Sequence, residues 1–107
     1  MKGAQPAEKE STRYLKFRVH SDSDVEISGF VESFWETSIA FLGTKTLSDT
    51  SPWIIANKFD EESGTGVVQV KRDFESDMRA ALTLIDGFDG REGFVEVVEV
   101  SGVLDKL

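Results

Sequence analysis

His20 is the only histidine in this 107-residue sequence, and there is no cysteine. A nucleophile–base arrangement that draws on a second histidine is therefore unavailable. Disulfides, CxxC redox pairs and cysteine zinc sites are excluded as well. A lone histidine at a strand end reads first as a surface residue. The twenty Asp and Glu residues are numerous enough to pair by chance, so their number is no catalytic signal. "DSDVEI", from Asp22, sets acids at Asp22, Asp24 and Glu26, as the start of a calcium loop does. An EF-hand needs Gly at its sixth position and Glu at its twelfth, where this chain has Ile27 and Ser33. "SGTGVV" lacks the GK[ST] ending of a phosphate loop and runs into a strand, not a helix. No catalytic side chain and no metal site are expected.

The positive signal lies in "RYLKFRVH", residues 13–20. Side chains alternate across a strand, so Leu15, Phe17 and Val19 share one face and Tyr14, Lys16, Arg18 and His20 the other. An aromatic residue beside cations on one strand face suits phosphate binding or base stacking. Other cations have plainer readings. Lys58 can guard a sheet edge, Lys71 and Arg72 end a strand, and Arg79 follows Glu75 at the spacing of a helical ion pair. The net charge of −8 opposes a nucleic-acid partner unless the bases gather on one surface. A high-salt cytoplasm is another setting in which extra surface carboxylates serve.

The elements that would position these residues follow from periodicity. Residues 1–12 are polar and aperiodic, a flexible arm. After the first strand, Ser23 and Glu26 have the spacing of a capping box. Ile27, Phe30, Val31, Phe34, Ile39, Phe41 and Leu42 then recur at helical intervals up to Gly43, a C-terminal stop. "TKTLSDTSP" is a connector with a short turn of helix, stopped by Pro52. "WIIANKF" and "GVVQVKR" read as strands joined by a "DEESGT" hairpin loop. Asp73 can cap a second helix whose stripe is Phe74, Met78, Ala81, Leu82 and Ile85, ended by Gly87. "GFDGREG" reads as a loop, and "FVEVVEVSG" as a last strand whose alternation changes phase: Val95 and Val97 share one face, Val98 and Val100 the other. A bulge, or burial of both faces, is expected there.

Strand–helix–strand–strand–helix–strand is the α+β, ferredoxin-like split βαβ order. It predicts a four-stranded antiparallel sheet with both helices packed on one face and the basic side of the first strand outward. An acylphosphatase of this fold would need a phosphate cradle after that strand; "SDSD" would repel phosphate. Trp35 and Trp53 are expected as core or partner contacts rather than stacking platforms. The patch of Phe34, Trp35 and Phe41 is expected to be mostly core, with a share of partner surface. With no apolar run near the ~20 residues of a membrane span and no signal-type N-terminus, the chain reads as cytoplasmic.

"RYLKFRV", "FLG", "WII…FD…GVVQVKR", "MRAALTLI" and "VSGVLDKL" succeed one another across residues 13–107. Together they resemble the archaeal ribonuclease P protein component 2 family, as one domain over those residues. The resemblance implies a non-catalytic subunit of the ribonucleoprotein endonuclease that removes the 5′ leader from precursor tRNA, stabilising the catalytic RNA fold. It implies an RRM-like layout, and hydrolysis performed by the RNA with Mg²⁺, so that the protein itself binds no cofactor. The implied partners are ribonuclease P RNA and the TIM-barrel protein subunit, with precursor tRNA as the substrate of the complex and a homodimer as a further association. The resemblance marks Arg13, Tyr14, Arg72, Arg79 and Lys106, within or beside its matched segments. With Lys16, Arg18, His20 and Lys71, these are the candidate RNA or partner contacts. A different class of reading is a small ferredoxin-like regulatory or scaffold domain that binds a metabolite or protein and no RNA.

Overall fold

The computed structural model describes residues 11–107, and of Lys106 the backbone only. In chain order come β1 (Thr12–Ser21), α1 (Ile27–Thr50), β2 (Trp53–Ile54), β3 (Thr65–Lys71), α2 (Glu75–Leu84), β4 (Gly87–Phe88) and β5 (Arg91–Ser101). Single 3₁₀ turns lie at Ala56–Lys58, Arg72–Phe74 and Leu104–Lys106. The arm expected over residues 1–12 falls outside the described residues up to position 10, and Thr12 already opens β1. No helix among the described residues is long and apolar enough to cross a membrane.

The five strands form one antiparallel sheet in the order β2-β3-β1-β5-β4. The sheet thus has five strands, not the expected four. The extra one arises in "GFDGREG", where Gly87 and Phe88 pair with Glu92 and Arg91. Asp89 and Gly90 make the two-residue turn with φ of 52° and 78°. A tight hairpin of matching twist requires positive φ at both positions, and Asp-Gly supplies it. Because Gly87 belongs to this strand, α2 ends earlier, at Leu84. The strand expected over "WIIANKF" is also shorter. After Ile55 N–H donates to Val67 O (3.0 Å) the chain turns, with Lys58 N–H on Ile55 O (3.0 Å). That turn brings the Phe59 ring inward, 5.7 Å from Phe30 and 6.4 Å from Phe17.

Both helices pack on the face that carries Leu15, Phe17 and Val19. The Phe17 ring stacks on Phe30 of α1 at 4.6 Å and 12°, and Phe30 in turn neighbours Phe34 and Phe88. From α2 come Met78, Ala81 and Leu82, with Ile85 just beyond, all buried as their spacing predicts. Gly66 on β3 leaves room for this cluster: a Cβ there would stand 2.6 Å from Phe17 Cζ and 2.9 Å from Phe59 Cδ1. Gly43, with φ 80° and ψ 161°, interrupts α1 as expected, and the connector's helical turn runs on to Thr50.

The expected caps do not form. Glu26 precedes α1 without a side-chain cap bond, and Ile27 N–H instead donates to Glu61 Oε2 (3.2 Å) from the β2–β3 loop. Asp89 lies against Gly29 in the first turn, so close that a Cβ at Gly29 would stand 2.5 Å from its Oδ2. Two carboxylates thus face the positive end of the helix. Asp73 sits inside a 3₁₀ turn and caps nothing; Glu75 and Asp77 put the negative charge in the first turn of α2.

β5 carries the expected bulge. Val97 stands opposite Phe17 and Glu99 opposite Lys16, leaving Val98 without a partner. The extra residue rephases the strand. Val95, Val97 and Val100 all meet core-facing residues of β1, while Glu96 and Glu99 meet Arg18 and Lys16. Val98 and Val100, expected on one face, therefore differ. Val98 is 42% exposed, and Val100 packs on the core.

Two outcomes check this packing by denaturant unfolding. Gly66→Ala overpacks the Phe17–Phe59 contact and lowers stability by about 1–3 kcal/mol. Val98→Lys changes stability by less than about 0.5 kcal/mol, whereas Val100→Lys costs about 1–3 kcal/mol; equal costs at the two positions would remove the bulge.

Candidate nucleic-acid interface

The register assigns each outward side chain its neighbours. One row across the sheet runs Trp53–Gln69–Tyr14–Ser101, the next Val67–Lys16–Glu99, then Thr65–Arg18–Glu96, then His20–Phe94. Tyr14, Lys16, Arg18 and His20 therefore do share the open face of β1, and Lys71 joins them opposite Thr12. Arg13 does not. Its partner Val70 belongs to the core, which puts Arg13 on the helix side, where its Nη1 donates to Thr12 O (2.9 Å).

The cations on this face are partly answered by carboxylates. Glu99 stands across from Lys16 and Glu96 from Arg18. His20 Nε2 lies 2.9 Å from Glu96 Oε1, and its ring stacks on Phe94 at 4.5 Å and 10°. Lys16 Nζ also donates to Leu107 O (3.4 Å), so the C-terminal turn folds back to the outer face. An uninterrupted basic strip along β1 is therefore absent: the bulge that keeps valines inward keeps glutamates outward.

Charge is instead divided along the strand. Where β1 begins, Lys71 stands opposite Thr12 and Arg72 follows it; Arg72 N–H donates to Ser11 O (2.6 Å) and its Nε is 3.9 Å from Asp73 Oδ1. Where β1 ends, a broad cleft is lined by Arg18, His20 and Arg91 and by a larger number of acids, among them Asp22, Asp24, Glu61, Glu62, Asp89 and Glu92. Phosphate is attracted at the first end and repelled at the second. Among the described residues no group of three or more His, Asp or Glu is arranged to hold a metal ion.

Arg79 lies apart from all of these, exposed on α2 with Nη2 3.7 Å from Glu75 Oε2, the i,i+4 pair expected from spacing. Lys106 belongs to the last 3₁₀ turn, and its side chain lies outside the described residues. Of the apolar patch on α1, Phe34 is fully buried while Trp35 and Phe41 remain exposed. Three outer-face residues were not foreseen: Trp53, Gln69 and Phe94. Period-2 alternation shows which residues share a face within one strand, but only the pairing register shows that Phe94 meets His20 or that Trp53 lines up with Tyr14.

Residues 13–107 match the Rpp14/Pop5 family. Ribonuclease P protein component 2 of Pyrococcus horikoshii is 31% identical over 107 residues, covering 100% of this chain and 88% of that protein. The protein of the same name from Thermococcus gammatolerans is 31% identical over 102 residues, 95% of this chain and 83% of the relative. That from Methanococcus vannielii is 25% identical over 104 residues, with 94% and 75% covered. A chain of the yeast ribonuclease MRP structure superposes with a TM-score of 0.70, over 86% of this chain and 74% of the other, at 10% identity, a likeness of fold. The chain belongs to the Rpp14/Pop5 family.

Proposed function

We propose that this chain is a non-catalytic protein subunit of ribonuclease P, the ribonucleoprotein that cleaves the 5′ leader from precursor tRNA, and that it stabilises the fold of the catalytic RNA. The observation that carries the reading is the full-length similarity to ribonuclease P protein component 2 of three archaea, within a family match over residues 13–107. In this reading the RNA holds the Mg²⁺ that hydrolysis uses, and the protein supplies no ligand to it. The chain's own residues bind and orient: Lys71, Lys16 and Arg72 meet phosphates at the start of β1, while the carboxylates at its far end repel them. RNA held by one end of the sheet is thereby oriented, and preorganisation of this kind lowers a barrier without bond making. The TIM-barrel subunit is the protein partner in this reading, a second copy of the chain a further one, and the cytoplasm the location. The strand order β2-β3-β1-β5 supports a split βαβ, ferredoxin-like core, to which β4 is an edge addition. The regulatory-domain reading is not favoured, because full-length relatives carry the ribonuclease P name.

The test is cleavage of precursor tRNA by the cognate ribonuclease P RNA and TIM-barrel subunit, with and without this chain, across Mg²⁺ and monovalent salt. Addition of the chain is expected to lower the Mg²⁺ requirement or speed cleavage. Unchanged cleavage with no retention of RNA or partner refutes the reading. Within that assay Lys71→Ala is expected to reduce the salt dependence of assembly by about one counterion. Glu96→Gln combined with Glu99→Gln is expected to tighten assembly, because both changes remove negative charge facing Arg18 and Lys16; weaker assembly by the folded double variant counts against RNA contact along β1.

A further inference from the structure

Trp53 is 67% exposed. It belongs to the two-residue edge strand β2, whose other residue, Ile54, turns inward and packs on the core. Trp53 therefore points to the open face, in the row it shares with Gln69 of β3 and Tyr14 of β1. An indole left in water gives up the largest apolar burial a side chain can offer, and nothing in the fold requires it there: Ile54 already anchors the strand. Neighbouring strands lie about 4.8 Å apart, so two strand spacings separate Trp53 from Tyr14, roughly 9–10 Å. Bases stacked in a helix rise only about 3.4 Å per step, so a duplex cannot lay successive bases on both rings. A single strand with splayed bases can.

Charge complementarity selects the occupant. Lys71 lies on the same face as Gln69, two residues along β3, with Arg72 next to it. Lys71 forms no ion pair among the described residues. The acidic cleft is at the opposite end of β1. Aromatic faces beside cations that track a phosphate backbone are the two components of single-strand recognition. Gln69, between the rings, offers an amide donor and acceptor to a base edge.

We propose that Trp53, with Gln69 and Tyr14 beside it, is a stacking platform for unpaired bases of a single-stranded RNA segment, whose phosphates meet Lys71 and Arg72. This rests on the function proposed above and names the class of RNA element taken by one end of the sheet.

The experiment uses the full chain with Trp35→Phe, which leaves Trp53 as the only indole, titrated with an unstructured RNA oligonucleotide, the same sequence as a duplex, and the cognate ribonuclease P RNA. Circular dichroism checks the fold of each variant. The single strand is expected to quench Trp53 emission and the duplex to leave it unchanged. Trp53→Ala, made with Trp35 retained, is expected to weaken binding of the single strand and of the cognate RNA about tenfold, and Trp53→Phe by less than about threefold. Undiminished RNA binding by folded Trp53→Ala overturns the platform and leaves the ribonuclease P reading intact. Protection of Trp53 by the TIM-barrel subunit rather than by RNA overturns it also, as a protein interface. Absence of RNA binding by the unsubstituted chain at every salt concentration overturns the platform together with direct RNA contact.

Discussion

The contact on which most of this structure depends is the Phe17 ring lying between Gly66 and Phe30. Phe17 is on the central strand, Gly66 on the strand to one side, and Phe30 on the long helix. Only a residue without Cβ can stand under that ring, because the atom would come within 2.6 Å of it. Interiors are packed closely enough that such a clash must move something. Phe34, Phe59 and Phe88 gather around the same stack, so helix, β2–β3 connection and β4 are all referred to one aromatic cluster. Once the helices occupy that side, the other face of β1 has no helix over it; the C-terminal turn reaches it at Lys16, and Arg18 stays exposed.

What that open face presents is decided by a single unpaired residue in β5. A strict alternation through "VEVVEV" that keeps Val95 and Val97 inward would turn Glu99 inward and Val100 outward. The bulge at Val98 absorbs the mismatch, keeps three valines on the core and sets Glu96 and Glu99 across from Arg18 and Lys16. A device that serves burial therefore also sets electrostatics. The outcome is a surface graded along β1, cationic with the exposed Trp53 indole and the half-buried Tyr14 where the strand begins and strongly anionic where it ends. For a protein of net charge −8 this gradient is compatible with the RNA contact proposed above: phosphate needs a local excess of positive charge, not a positive total.

Long-range contacts also replace local ones at the start of the long helix. Ser23 and Glu26 have the spacing of a capping box, yet Glu61, 34 positions away, accepts the Ile27 amide, and Asp89 closes over Gly29 from the β4–β5 turn. Cap bonds of either origin satisfy the same orphan N–H groups. The tertiary version additionally ties two loops at the acidic end of the sheet to the start of α1, and so holds the anionic cleft in place.

The sequence by itself determined the period of each long element, the inward stripes Leu15/Phe17/Val19 and Met78/Ala81/Leu82/Ile85, the break at Gly43 and the presence of a phase change in the last strand. The segments that mark the family were legible too, because side-chain type and order along the chain are what a family shares. The tertiary structure alone decided the fifth strand, the shortening of β2, the side of the sheet on which Arg13 lies and the carboxylate facing each cation. It also brought Trp53, Gln69 and Tyr14 into one row. The physical reason is that alternation and helical stripes are local properties of a chain segment. Register is not: it is set by pairing between residues as far apart as Tyr14 and Ser101, and a shift of one position reverses every face.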